Sequence, residues 1–410
     1  MDPKNGSHIS YACLRISCLQ CLTFISLLLY ISILLVRTVD AHEVSSRGEY
    51  GANTRSSKQK SVARRLKFRS MFALGDSITD TGNLLFIMQN QNSSPPVQGR
   101  PPYGETFFQR PTGRFSDGRL IVDFLAKELE ASDYLAPSLI LLNQSRPRQN
   151  GLSRKLVNFA VAGATALPAE YFNVTYNIVP YTYFSLNRQL EGITNETRHT
   201  LSRALVFVGE IGGNDYNYAF GNSIPLNEIF QLVPNVVSHI GRALELMILG
   251  GVKYVVVQNA SPVGCIPLYR RMYQNATKDD NGCIQDLNNV LHLHNLLLSQ
   301  LLNNLTTFFN ASTKFVLWDT EKAFMEVFTN PYEYGFSYIE RPCYNITDYF
   351  LNLNTNLTNV EPCVDPSVYI SWDGPHQTEA MNNIMFDLFY KQGYATPFPN
   401  FLTTDAHVMA

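Results

Sequence analysis

The sequence predicts a three-layer α/β/α sandwich on a five-stranded, mostly parallel sheet. Three observations point there. Five short runs are continuously apolar and rich in β-branched residues, as strands covered on both faces must be. The segments between several of them carry apolar residues at helical spacing, and strand–helix alternation builds parallel sheets. Each run also ends in Gly, Asn, Asp or Ser, so polar residues gather at the carboxyl ends of the strands, where open α/β sheets bind their ligands.

The strands, in order, are 71–74 (MFAL, running into GDS), 156–161 (LVNFAV, into AGAT), 204–208 (ALVFV, into GEIGGND), 253–258 (KYVVVQ, into NASPVG) and 314–318 (KFVLW, into DTEKAF). A helix is expected over 234–249, stopped by Gly250-Gly251, a long Leu-rich one over 283–309, and a closing one over 377–390. There is no internal repeat and no composition break after residue 71, so 71–395 reads as one domain with a 396–410 tail.

Composition bounds the function. Of 410 residues, 45% are hydrophobic, enough for a large core, which excludes a mostly disordered chain. The net charge of −2 hides an asymmetry: residues 1–70 hold eleven Lys/Arg against four Asp/Glu, and the remaining 340 hold 21 against 30. An acidic body repels phosphate backbones, so no nucleic-acid partner is expected.

The front end reads as an address. Lys4 and Arg15 precede an apolar run over 21–36, and Val39-Asp40-Ala41 offers a small-residue cleavage site, so 1–41 is expected to be a signal peptide cut after Ala41. The rival is an uncleaved anchor, but the run is shorter than a membrane span wants. No later stretch is expected to span a bilayer. Residues 42–70 are polar and basic and read as a linker. Sequons at Asn92, Asn143, Asn173, Asn195, Asn275, Asn304, Asn310, Asn345 and Asn356 fit a chain passing through a glycosylating lumen; a tenth, Asn259, follows an apolar strand and is the expected exception. The expected destination is extracellular or an endomembrane lumen, the vacuole included. Four cysteines follow the leader: Cys265, Cys283, Cys343 and Cys363. In an oxidising compartment they suggest two disulfides with three connectivities, of which Cys265–Cys283 and Cys343–Cys363 close the shortest loops.

The chemistry-bearing segments are FALGDSITDTGN at 72–83 and YISWDGPHQTEA at 369–380. Ser77, just after the first strand at the start of a helical turn, is placed as a nucleophile; the commonplace alternative is a helix cap. Such a serine needs a neutral imidazole and a carboxylate that fixes its tautomer. Asp373 and His376, three apart around Gly-Pro, meet that need. The other seven histidines fall in the leader, at termini, in a loop or inside helices, and His292 and His294, two apart, are not a helical metal pair. No metal or cofactor is expected. Main-chain N–H groups at Ser77 and Gly163, with the Asn214 amide, are candidates for holding an oxyanion, though each alone reads more readily as a turn residue.

Taken together, FALGDSITDTGN, NFAVAGATAL, VGEIGGNDYNYAF, NASPVGCIP and DPSVYISWDGPHQTEA, with PYGETF at 102–107 and GRFSDGRL at 113–120, resemble the ordered blocks of the plant GDSL esterase/lipase family within the SGNH hydrolases, over about 71–391. GEIGGNDYNYAF also resembles the subgroup of sinapine and acetylajmalan esterases. The resemblance implies a flavodoxin-like domain that hydrolyses carboxylic esters. It implies Ser77 as nucleophile, His376 as base, Asp373 as third member, and Ser77, Gly163 and Asn214 as the oxyanion hole. Relatives often carry a C-C-G stretch where this chain has 344–362 without one, which puts the disulfide pattern there in question. The expected partner is a small-molecule ester, the favoured state a monomer. Rival readings are an acyltransferase using the same site, and a non-enzymatic wall glycoprotein on the same fold.

Overall fold

The computed structural model describes residue 68 and residues 70–91, 95–129, 131–139, 155–350, 357–398 and 400–402, all within one compact unit. The leader, nearly all of the 42–70 linker, the end of the tail, and Asn92, Asn143 and Asn356 lie outside the described residues.

The sheet has six strands: β1 (Ser70–Leu74), β2 (Lys155–Asn158), β3 (Ala204–Val208), β4 (Tyr254–Gln258), β5 (Lys314–Trp318) and β6 (Ala395–Thr396), in the order β2-β1-β3-β4-β5-β6. The five expected strands are present and parallel. The sixth, antiparallel to β5, was not foreseen, because two residues carry no periodicity; it straddles the expected 395/396 boundary. Beyond it Phe401 and Leu402 are buried, so the body extends into the expected tail. The second strand stops at Asn158, three residues early, although the chain still follows β1 through Phe159 N donating to the Ala73 carbonyl at 2.8 Å.

Alternation along each strand builds the layers. Phe72, Leu74, Val206, Val208, Val255 and Val257 face one core, and Met71, Ala73, Leu205, Phe207, Val256, Val316 and Trp318 face the other. Near the site stand α1 (Asn83–Asn90) and, on the second face, α2 (Ile121–Glu128). The first core is covered by α3 (Leu186–Thr194), α4 (Gly213–Gly221), α5 (Leu226–Gly250) and α6 (Gln285–Phe308), the second also by α7 (Thr320–Thr329) and α8 (Glu379–Lys391).

The fifth helix begins eight residues before the expected start and carries Pro234 inside it. Pro234 removes one N–H from the ladder, yet Ile229, Leu232 and Val233 continue the buried stripe of Val236, Val237 and Ile240, and burial of that stripe outweighs the break. By length and hydropathy this helix would suffice to cross a membrane, contrary to the expectation that no later stretch would, but 56% of its apolar window is buried against the core.

Both disulfides have the shortest-loop connectivity, Cys265–Cys283 and Cys343–Cys363. Asn173, Asn195, Asn275, Asn304, Asn310 and Asn345 are exposed. Asn259 is buried, its amide donating to Asp319 Oδ1 and its Oδ1 accepting from Thr320 N.

Candidate active site

The strand order reverses beside β1: the chain passes from β1 to β2 on one side, then to β3 on the other. Ligand crevices open at such switch points. Ser77 follows β1, Gly163 follows β2 and Asn214 follows β3, so all three stand around that reversal.

Ser77 lies in a single turn, closed by Asp80 N donating to the Asp76 carbonyl at 2.8 Å, and is half-buried. It does not start a long helix: α1 begins only at Asn83, and the helix N-terminus nearest the site in sequence terms is that of α4, which carries Asn214 on its second residue. Beneath the turn, Asp80 accepts from Gly82 N (2.8 Å) and Asn83 N (2.6 Å) through Oδ1, and from Leu84 N (3.0 Å) and Ala162 N (2.8 Å) through Oδ2. Asn158 donates to the Thr79 carbonyl at 2.6 Å and to Thr81 Oγ1 at 3.0 Å. On the far side of the Gly163 loop, Asp215 accepts from Ala166 N and Leu167 N at 2.8 and 3.0 Å. The loop is therefore gripped at both ends by buried carboxyl groups.

Gly163 has φ +81°, a left-handed conformation that favours glycine, and its carbonyl accepts from the Tyr218 hydroxyl at 3.0 Å. A Cβ there would press on the Tyr181 ring at 3.2 Å. Among the described residues, neither Ser77 N nor Gly163 N donates to another protein group. Asn214 differs: its amide nitrogen donates to Asp76 Oδ2 at 3.1 Å and to the Ala164 carbonyl at 3.0 Å, which occupies both its hydrogens.

From the opposite wall comes the 373–376 turn. His376 Nε2 lies 3.0 Å from Ser77 Oγ, and His376 Nδ1 lies 2.8 and 3.0 Å from the two oxygens of Asp373. His376 N donates to Asp373 Oδ1 at 2.9 Å, and Trp372 N to the His376 carbonyl at 2.8 Å. Gly374, with φ +116°, makes the reversal; a Cβ there would meet Thr347 Oγ1 at 2.8 Å. The Phe115 ring lies 4.4 Å from the imidazole and Phe350 5.7 Å, so apolar surface flanks His376. Asp373 is fully buried, and Tyr103 Oη donates to its Oδ2 at 2.7 Å.

The sequence reading missed several groups that the structure brings to the site. Tyr103 belongs to the PYG block but has no local feature pointing to position 373. Asp76 and Glu210 are buried close to Ser77 and His376. Burial, with Glu210 nearby, pushes the Asp76 carboxyl well above its usual range. Burial pushes Glu210 up to about 7, against hydrogen bonds from Ser261 N and Oγ, and pushes Asp215 up to about 7. Their signal was the concentration of acids inside the GDS and GEIGGND blocks, which polar strand ends made look ordinary. His294, inside α6, is buried against the Tyr216 hydroxyl at 2.8 Å, and burial lowers its pKa to about 4, which keeps it neutral.

A serine, an imidazole and a carboxylate in relay, facing open main-chain donors at the switch point of a parallel sheet, define a serine hydrolase. Residues 71–389 match the GDSL-like lipase/acylhydrolase family model. The chain is 37% identical over 348 residues to the GDSL esterase/lipase At1g31550 of Arabidopsis thaliana, covering 80% of this chain and 85% of that protein. It is 36% identical over 353 residues to the GDSL esterase/lipase At1g28600 of the same plant, covering 80% and 86%. The chain belongs to the GDSL-like lipase/acylhydrolase family and is an esterase/lipase enzyme.

Proposed function

We propose that the chain hydrolyses small esters of acylated plant metabolites through an acyl-enzyme on Ser77. The observation that carries this reading is the unbroken relay Ser77 Oγ–His376 Nε2–His376 Nδ1–Asp373, at 3.0 and 2.8 Å. Ser77 Oγ attacks the ester carbonyl while His376 Nε2 takes its proton; Asp373 holds Nδ1–H and steadies the imidazolium. His376 then passes the proton to the leaving alkoxide, and the alcohol departs. Water, deprotonated by His376, cleaves the acyl-enzyme, releasing the acid and restoring Ser77.

The tetrahedral oxyanion is held by the Ser77 and Gly163 N–H groups, with Asn214 as third donor. Asn214 reaches it by turning one amide hydrogen away from Asp76. The raised pKa of Asp76 favours its neutral form, a weaker acceptor than a carboxylate, which eases that exchange. The subgroup likeness of GEIGGNDYNYAF favours short acyl or phenolic esters over long-chain glycerides, and the Phe115 and Phe350 rings beside His376 offer apolar surface to an aromatic ester. The protein acts after loss of residues 1–41, as a secreted or lumenal glycoprotein and a monomer. Two disulfides and six exposed sequons support that address.

Ser77→Ala is the deciding test. It is expected to lower kcat for p-nitrophenyl acetate by roughly 10⁴- to 10⁶-fold and to abolish labelling by a fluorophosphonate, with the fold intact. Undiminished turnover overturns the reading. A panel of acetyl, butyryl, long-chain and hydroxycinnamoyl esters on the secreted protein tests the substrate class, and added alcohol that diverts the acyl group into a new ester would mark a transferase.

A further inference from the structure

We infer that Tyr103 is a positioning residue of the hydrolytic relay, acting through Asp373. This rests on the triad reading above and adds to it a group 270 residues away in sequence.

Asp373 is sealed from solvent, so its two oxygens depend on protein donors for everything water would supply. One side is filled by its own turn: His376 N reaches Oδ1 and His376 Nδ1 lies within 3.0 Å of both oxygens. Oδ2 has one further donor, the Tyr103 hydroxyl at 2.7 Å. Among the described residues that hydroxyl has no other hydrogen-bond partner, and it has a single acidic hydrogen to give. The bond is charge-assisted and short, and it sets the plane of the carboxylate relative to the imidazole.

The phenol is held rigidly enough for that task. Tyr103 is 1% exposed, and its ring is met edge-on by Phe115, Tyr344 and Trp372 at 5.8–6.2 Å. Gly104 N donates to the Ser116 carbonyl at 3.0 Å and Thr106 N to the Asp117 carbonyl at 2.8 Å, tying the 103–106 stretch to the loop that carries Phe115. That loop is pinned in turn by Arg114, which binds buried Asp123 with two contacts of 2.8 Å. Burial and the neighbouring Asp373 push the Tyr103 phenol well above its usual range, so it remains a donor throughout the working pH range. The same segment thus delivers the phenol to Asp373 and the Phe115 ring to His376. An imidazole packed by one side of a loop, and a carboxylate fixed by the other, keep their separation while charge develops.

Removing the Tyr103 hydroxyl leaves Oδ2 without its outer donor and frees the carboxylate to turn. Tyr103→Phe is expected to lower kcat for p-nitrophenyl acetate by roughly 10- to 100-fold with KM unchanged, the loss appropriate to a hydrogen bond on a buried charge. The far-downfield proton resonance of the His376 Nδ1–H···Asp373 bond should also move, because the carboxylate becomes more basic. A merely structural tyrosine would not shift that signal. The double variant Tyr103→Phe/Asp373→Ala should be no slower than Asp373→Ala alone, because the hydroxyl then has nothing to position. That comparison holds even if Tyr103→Phe fails to fold, since the orphaned carboxylate is absent from the double variant. A kcat for Tyr103→Phe within twofold of the parent with an unmoved resonance, or additive losses in the double variant, overturns the inference. The parent reading fails separately: Asp373→Ala, or Ser77→Ala, would then leave activity unchanged.

Discussion

On one wall of the site, Ser77, Gly163 and Asn214 hang from the ends of three parallel strands; on the other, Asp373 and His376 sit in a turn between a short 3₁₀ segment and α8. The first wall is locked across the strand ends by buried side chains. Asp80 and Asp215 each gather main-chain N–H groups from two or more consecutive residues, and Asn83 and Asn158 stitch the turn to the strand beside it. The second wall takes its order from the neighbouring crosslinked loop. Cys343 N and Tyr344 N donate to the carbonyls of Ser371 and Trp372, Cys363 N donates to the Cys343 carbonyl, and the Cys343–Cys363 bond closes that arrangement. One wall is thus made by a fold that the sheet dictates, the other by a loop that crosslinks and aromatic packing hold in place. Damage to the first should remove the donors of the oxyanion hole outright, whereas damage to the second should loosen a relay that still forms part of the time.

Asp80 is the sharpest way to break the first wall. Asp80→Asn puts an NH₂ where Oδ2 or Oδ1 meets N–H donors, leaving at least two buried donors unanswered. We expect a stability loss of about 3–5 kcal/mol and, where the protein still folds, a kcat lower by about 10²-fold through displacement of the Gly163 N–H. Thermal denaturation and ester kinetics measure both; a variant with parent-like kcat would show that the clamp does not set the hole.

The second wall is tested by its crosslink. Cys343→Ser/Cys363→Ser should cost about 2–4 kcal/mol and lower kcat by roughly tenfold, with the deficit growing on warming as the 371–376 stretch loosens. Cys265→Ser/Cys283→Ser opens a loop of similar length, 18 against 20 residues, in the stretch that follows β4. It should cost similar stability while leaving kcat within about twofold. Equal kcat losses in both variants would erase the contrast between the walls.

The same contrast explains what could be read in advance. The first wall was legible because strand, turn and polar residue follow one another within a dozen positions: GDS after 71–74, AGAT after 156–161, GGND after 204–208. His376 was legible by elimination, and Asp373 by its spacing from it. Tyr103 was not, because its partner is 270 residues away and its own neighbourhood reads as a turn. The early start of α5 was hidden by Pro234, a residue that usually marks a helix boundary. The two-residue β6 was hidden because pairing with β5, not its own pattern, makes it a strand. Asp76 and Glu210 looked like ordinary strand-end acids; only the packed structure shows that burial has taken them from solvent.

That last point yields the smallest and most selective expected effect. Glu210 is buried at the foot of the first wall, with a pKa pushed from 4.5 up to about 7 chiefly by burial. Below pH 4.5 the carboxyl is protonated whether the chain is folded or unfolded, and stability does not change on its account. Between 4.5 and 7 the unfolded chain releases the proton while the folded chain keeps it, so unfolding becomes easier as pH rises, by up to about 1.4 kcal/mol per pH unit for the one proton. Above 7 both forms are ionised and the slope ends. Glu210→Gln, which keeps an oxygen for the Ser261 bonds, should therefore flatten part of the fall in Tm between pH 4.5 and 7 and leave Tm at pH 4 within a few degrees of the parent. Asp215, also pushed up to about 7, keeps the remainder of the slope. A parent-like Tm profile in Glu210→Gln would mean that Glu210 is ionised in the folded protein at pH 5, held there by the Ser261 donors rather than neutralised by burial. The first wall would then carry a fixed negative charge beneath Ser77 and Asn214 throughout the working range, one that holds Asp76 all the more firmly in its neutral form.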